Sequence, residues 1–122
     1  MKVKPLLPTL RTKKRYVVYE TVSEKSIEHL KVVEAIFKSY KECFGLFGLA
    51  QAGLTDMKIN SSKRGILKIN HKYVEQLRAA MALIKEIDNV KVILHTVGVS
   101  GILKKTRGKY MEGIKCNHYS TR

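Results

Sequence analysis

The spacing of apolar residues switches between two and about 3.6 several times along this 122-residue chain, and that alternation fixes an order of elements. Arg15-Tyr16-Val17-Val18-Tyr19-Glu20-Thr21 is dense in β-branched and aromatic residues and reads as a strand. Ser23 is placed to cap a helix with Glu24 in its first turn. Ile27, Leu30, Val33, Phe37, Tyr40 and Phe44 then recur at three- and four-residue steps, which puts them on one helical face. Gly45 and Gly48 end or bend that helix. Two short strands are expected near residues 55–60 and 66–69, with turn chemistry in Asn60-Ser61-Ser62-Lys63-Arg64-Gly65 between them. Asn70 is placed to cap a second helix whose buried stripe is Val74, Leu77, Met81 and Ile84. Ala79, Ala80 and Ala82 allow that helix close approach to a sheet. Asp88-Asn89 makes a turn. Residues 90–97 are nearly all apolar, so this strand is expected to be buried on both faces or packed by a partner. Ser100-Gly101 then opens a third helix running to about Met111.

The order strand, helix, strand, strand, helix, strand, helix is the split βαβ pattern of α+β ferredoxin-like and RNA-recognition-motif-like (RRM-like) folds. It predicts a four-stranded antiparallel sheet with two helices on one face, plus an extra C-terminal helix. Residues 1–13 hold Pro5 and Pro8 and no apolar period, so they read as a basic extended arm. Residues 14–112 form a single RRM-like domain, and residues 113–122 a polar tail.

Hydrophobic content of 44% supplies a core for one domain, which excludes a disordered chain. No run of about 18 apolar residues occurs, so no helical membrane span is expected. Met1-Lys2-Val3-Lys4-Pro5 has no secretory signal pattern, and Cys43 and Cys116 are expected as reduced thiols in a cytoplasm. Cys116-Asn117-His118 is too short to chelate zinc, and no metal is expected on the protein.

Charge narrows the function classes. The net charge is +14, and it is unevenly spread. Residues 1–15 carry six bases and no acid; residues 16–60 carry five bases and six acids; residues 61–95 seven and three; residues 96–122 six and one. Cationic ends around a nearly neutral first helix suit a polyanion on one side and a protein on another.

Arg11, Lys13, Lys14 and Arg15 lead into the first strand, either as a solvated tail or as phosphate ligands. At Val97-Gly98-Val99-Ser100-Gly101, strand gives way to an expected helix start, where N–H groups can hold a phosphate. The bland alternative is a tight turn. Lys104, Lys105, Arg107 and Lys109 follow within two turns, and Lys105 and Lys109 share a face. His71 and Lys72 at the second helix start, with Arg78 beyond, make another basic cluster. His71 reads equally as a phosphate donor and as an exposed polar residue. Base stacking on the sheet is not expected. The third strand holds no aromatics, and Tyr16 and Tyr19 are three apart, so at most one lies on an open face. Phosphates and RNA shape should be read instead. The run Phe44-Gly45-Leu46-Phe47-Gly48-Leu49-Ala50 is either a short helix covering the sheet or a patch for a protein partner through Leu46, Phe47 and Leu49. No GxSxG, HExxH or suggestive carboxylate pair occurs, and no acylphosphatase-like loop surrounds Arg11–Arg15.

Three ordered segments carry a family resemblance: Pro8-Thr9-Leu10-Arg11-Thr12-Lys13-Lys14-Arg15-Tyr16; Gly65-Ile66-Leu67 through Asn70-His71, Val74 and Arg78-Ala79-Ala80-Met81-Ala82-Leu83-Ile84; and Thr96-Val97-Gly98-Val99-Ser100-Gly101-Ile102-Leu103-Lys104-Lys105. Together they resemble the archaeal ribonuclease P component 2 family, relatives of a small subunit shared by eukaryotic ribonucleases P and MRP. The resemblance implies a non-catalytic subunit whose partner RNA, with bound Mg2+, removes the 5′ leader of precursor tRNA. It implies contact with the ribonuclease P RNA, indirect contact with precursor tRNA, and pairing with the barrel-shaped component 3, as a heterotetramer if two such pairs join. The rival readings are a generic or ribosome-associated RNA-binding protein and a ferredoxin-like small-molecule regulatory module, which +14 disfavours.

Overall fold

A computed structural model of the chain describes residues 13–61 and 63–103. Five strands and two helices follow in the order β1 (Lys14–Ser23), α1 (His29–Ala52), β2 (Thr55–Asn60), β3 (Arg64–Asn70), α2 (Val74–Ala82), β4 (Glu86–Ile87) and β5 (Val90–Ser100), with one 3-10 turn (His71–Tyr73) leading into α2. The strands form one sheet in the order β2-β3-β1-β5-β4, and every neighbouring pair is antiparallel.

Strand β1 is central because both of its edges are paired, to β3 and to β5. Its odd-numbered residues Val17 and Tyr19 enter the core with Leu67 and Ile69 of β3 and Val92 and Leu94 of β5. Val32, Ile36 and Tyr40 of α1 and Leu77, Ala80 and Met81 of α2 close that core from above. Fully burying each of the large apolar side chains is worth about 1.5–3 kcal/mol, so this layer outweighs any single surface pair. The two helices are also tied by polar bonds. Tyr40 donates its hydroxyl to Gln76 Oε1 at 2.7 Å, and Ser39 donates to the Ala80 carbonyl at 2.7 Å.

Several expectations are corrected. The sheet has five strands rather than four. Asp88 and Asn89 both have positive φ, 52° and 63°, as a two-residue type I′ hairpin turn requires, and the turn folds Glu86–Ile87 back onto Val90 and Lys91. The last strand runs three residues past Val97, to Ser100, and is buried on one face only: Val92 and Leu94 point into the core while Ile93 is 64% exposed. Helix α1 starts at His29 rather than just after Ser23. Ser23 is still in β1 and its hydroxyl donates to the Lys25 carbonyl, and Glu28 at the N-cap makes no side-chain cap. Asn70 does not cap α2 either; its side chain is engaged by Lys14 and the Gln51 carbonyl. The expected third helix falls mostly on residues outside the described ones, as do most of the arm and all of the tail.

Gly45 bends α1 without ending it, with φ 79° and ψ 172° inside the helical run, and Gly53 closes the helix in the left-handed conformation. Gly65 is needed for a different reason. It lies opposite Tyr19, and a Cβ there would run into the Tyr19 ring and hydroxyl. That ring cannot swing away, because it is buried and its hydroxyl bonds His29 Nδ1 at 3.0 Å. Gly65→Ala should therefore lose about 1–3 kcal/mol of stability by overpacking, read as a lower urea midpoint at unchanged slope.

Candidate nucleic-acid interface

Tyr16, Val18 and Glu20 of β1 face away from the helices, while Lys14 at the strand's start reaches the end of α1. Cross-strand pairing puts Lys14 beside Asn70, Tyr16 beside Lys68 and Ser100, Val18 beside Ile66, and Glu20 beside Arg64 and His95. Of the two tyrosines of β1, Tyr16 is thus the one on this face, while Tyr19 is 1% exposed in the core.

The middle of the face is neutralised from within. Glu20 accepts from Arg64 Nε at 3.0 Å and pairs with His95 Nε2 at 2.9 Å. Burial pushes the Glu20 carboxyl up, but the hydrogen bonds and charges of Arg64 and His95 outweigh it and hold the group below its usual range.

One end of the sheet gathers what the sequence scattered. Lys13, at the end of the arm, exchanges main-chain and side-chain contacts with His71. The His71 N–H donates to the Lys13 carbonyl at 2.8 Å, and the Lys13 N–H donates to His71 Nδ1 at 3.1 Å. Lys14 Nζ bonds Asn70 Oδ1 and lies against Gly53, at the negative end of the α1 dipole. The Arg15 guanidinium donates to the Lys14 carbonyl at 3.1 Å and covers Gly101, where a Cβ would sit 3.2 Å from Nη1. Ser100 pairs with Tyr16, and its hydroxyl accepts the Ile102 N–H at 3.2 Å. So Lys13, Lys14, Arg15, His71, Ser100 and Gly101 converge, and exposed Lys72 adjoins them in the 3-10 turn.

Arg78 lies apart from this group. It pairs with Glu75 at 2.9 Å on the exposed face of α2 and borders a small cleft with Leu94, His95 and Thr96. Arg11, Lys104, Lys105, Arg107 and Lys109 lie outside the described residues. Lys68 was missed from the sequence. Its signal is the period-two series Arg64, Ile66, Lys68, which becomes readable once Leu67 and Ile69 are known to face the core.

Beyond the Gly45 kink, Leu46 is 67% and Phe47 86% exposed, while Leu49 turns inward and packs on the core. Among the described residues no three His, Cys, Asp or Glu gather as a metal site, and no helix is long and apolar enough to cross a membrane.

Residues 15–111 match the Rpp14/Pop5 family. The chain belongs to that family. The match takes in the strands and helices from Arg15 of β1 through β5, together with Arg15, His71, Ser100 and Gly101 of the cationic end, while Lys13 and Lys14 precede it. Two similar relatives are both named ribonuclease P protein component 2. That of Pyrococcus horikoshii is 37% identical and that of Thermococcus kodakarensis 34%, each over 90% of this chain and 92% of the relative. The protein of the same name from Methanosarcina mazei is 31% identical over 90% of this chain and 94% of its own length. A chain in the cryo-EM structure of yeast ribonuclease MRP has the same fold, with a TM-score of 0.60 at 9% identity, covering 91% of this chain and 95% of that one.

The Glu20 network of this Rpp14/Pop5 domain carries a pH signature. A carboxylate with a lowered folded pKa stabilises the fold fully above its unfolded value, about 4.5, and that contribution is lost as pH falls through the lowered folded value. The difference in urea midpoint between wild type and Glu20→Gln should shrink as pH falls below about 4.5. A gap that widens below about pH 4.5 would contradict the network.

Proposed function

We propose that the chain is a protein subunit of ribonuclease P, acting as component 2. In this reading it binds the enzyme's RNA, and it does no chemistry itself. The observation that carries the RNA contact is the convergence of Lys13, Lys14, Arg15 and His71 with Ser100 and Gly101 at one end of the sheet. Family membership and the names of the relatives support the assignment to ribonuclease P.

The proposed physics is screening. Folded RNA crowds phosphates, and cations fixed on a rigid sheet edge lower the cost of that crowding without being recruited from solution. A net charge of +14 supplies the long-range attraction. Lys14, Arg15 and His71 supply position, because their side chains are already held by Asn70, by the Lys14 carbonyl and by the Lys13 N–H. The RNA, with its own Mg2+, would cleave the 5′ leader of precursor tRNA in the cytoplasm. The barrel-shaped component 3 would be the protein partner, in a pair or a dimer of pairs, and the exposed Leu46 and Phe47 suit such a contact better than the inward Leu49.

Reconstitution tests the reading. The chain, its component 3 partner and the cognate RNA, mixed with precursor tRNA at limiting Mg2+, should cleave faster than RNA alone. No gain would leave only a generic RNA-binding role. Replacing Lys104, Lys105 and Arg107 by Ala should weaken RNA binding and flatten its salt dependence by roughly one unit of slope per lost phosphate contact, and Lys14→Ala with Arg15→Ala should do the same. Leu46→Asp with Phe47→Asp should leave the monomer's urea midpoint nearly unchanged and weaken association with component 3, measured by analytical ultracentrifugation. An unfolded variant would assign the pair to the core instead.

A further inference from the structure

A second polar cleft opens at the far end of β1, where the β1–α1 loop faces the β2–β3 turn. We propose that this cleft binds a nucleotide through its phosphate. Its volume is 390 Å³, enough for a nucleotide to enter in part. Lys25 and Lys63 stand at its rim, both exposed, and neither has an ion-pair partner among the described residues. The hydroxyls of Thr21, Ser26 and Ser61 also line it, and none has a hydrogen-bond partner among the described residues. Among the described lining residues Glu24 is the one acid, so the cations prevail; Arg64 is held to Glu20 and is not needed.

The rim is fixed in place. The Thr21 N–H donates to the Lys63 carbonyl at 2.8 Å, and the Ser61 N–H donates to the Arg64 carbonyl at 2.8 Å, so the turn cannot close over the space. The lining also includes Ile27, Val32 and the Tyr19–His29 pair, which are apolar or aromatic. Cations and hydroxyls beside an apolar wall suit a phosphate attached to a sugar and base better than a bare ion. The distance from the Lys14 end is about seven residues of strand, roughly 20 Å, too far for one phosphate to serve both. The cleft is therefore a separate site, and the assignment does not depend on the ribonuclease P reading.

The test uses the full chain without other subunits. Amide resonances are followed while adenosine 5′-monophosphate, adenylyl-adenosine (a single phosphodiester) and adenosine are added in turn. The expected result is saturable shifts centred on Thr21, Ser26, Ser61 and Lys63 with the two phosphate-bearing probes and far smaller shifts with adenosine. Lys25→Ala with Lys63→Ala should weaken binding about tenfold, whereas Lys91→Ala on β5 should not. Tighter binding of the monoester assigns the cleft to a free or terminal nucleotide; tighter binding of the diester assigns it to an internal RNA linkage. Shifts confined to other surfaces, adenosine binding as well as the monophosphate, or unchanged affinity in the double variant would overturn the proposal. A chain that fails here yet stimulates cleavage in reconstitution would lose the cleft assignment and keep the subunit role.

Discussion

Everything in this domain depends on the register of β1 between its two neighbours. Because side chains alternate across a strand, pairing Tyr19 with Gly65 and Thr96 sends Val17 and Tyr19 into the core and Tyr16 and Glu20 to the other face. A slip of one residue would turn the Glu20 carboxylate toward the core and Val17 and Tyr19 out of it. Gly65 helps to prevent that slip, since only a residue without Cβ tolerates the Tyr19 ring lying over it. The Tyr19 hydroxyl, kept protonated by burial and then by the nearby Asp56 charge, anchors the first turn of α1 through His29.

The same register sorts the charge. Glu20 sits where it can engage both Arg64 and His95, so that part of the face carries little net attraction for an anion, and the neighbouring Val18 and Ile66 are fully buried. Lys14 and Arg15 at one end of β1, and Lys25 and Lys63 near the other, have no carboxylate partner among the described residues. At one end Lys14 and Arg15 are oriented by Asn70 and by main-chain carbonyl groups rather than by acids. At the other end Lys25 and Lys63 stand at the cleft rim. A polyanion would thus meet ordered positive charge at the ends of the sheet rather than at its centre.

Some elements were legible from local chemistry alone. Strand β2 falls at residues 55–60 as expected, β3 brackets the expected residues 66–69, and Leu77 and Met81 of the α2 stripe are buried. The misses share a cause. Strand β4 has two residues, too few for any period, and only its hairpin partner makes it a strand. The continuous apolar run of β5 suggested burial on both faces, yet Ile93 is exposed, because no described element covers that side of the strand. Ser23 and Asn70 have good capping chemistry, but a strand ending and a lysine across the sheet claimed them first.

The sequence by itself determined the order of the main strands and helices, the cationic ends, and the turn at Asp88-Asn89, because these follow from residue spacing and from contacts within a few positions along the chain. The tertiary structure decided which charges stand together. Lys13 meets His71 across 58 positions, Lys14 meets Asn70 across 56, and Glu20 meets His95 across 75. Such pairs are set by strand order and register, which are collective results of burying one face of every strand at once, and no local pattern encodes them.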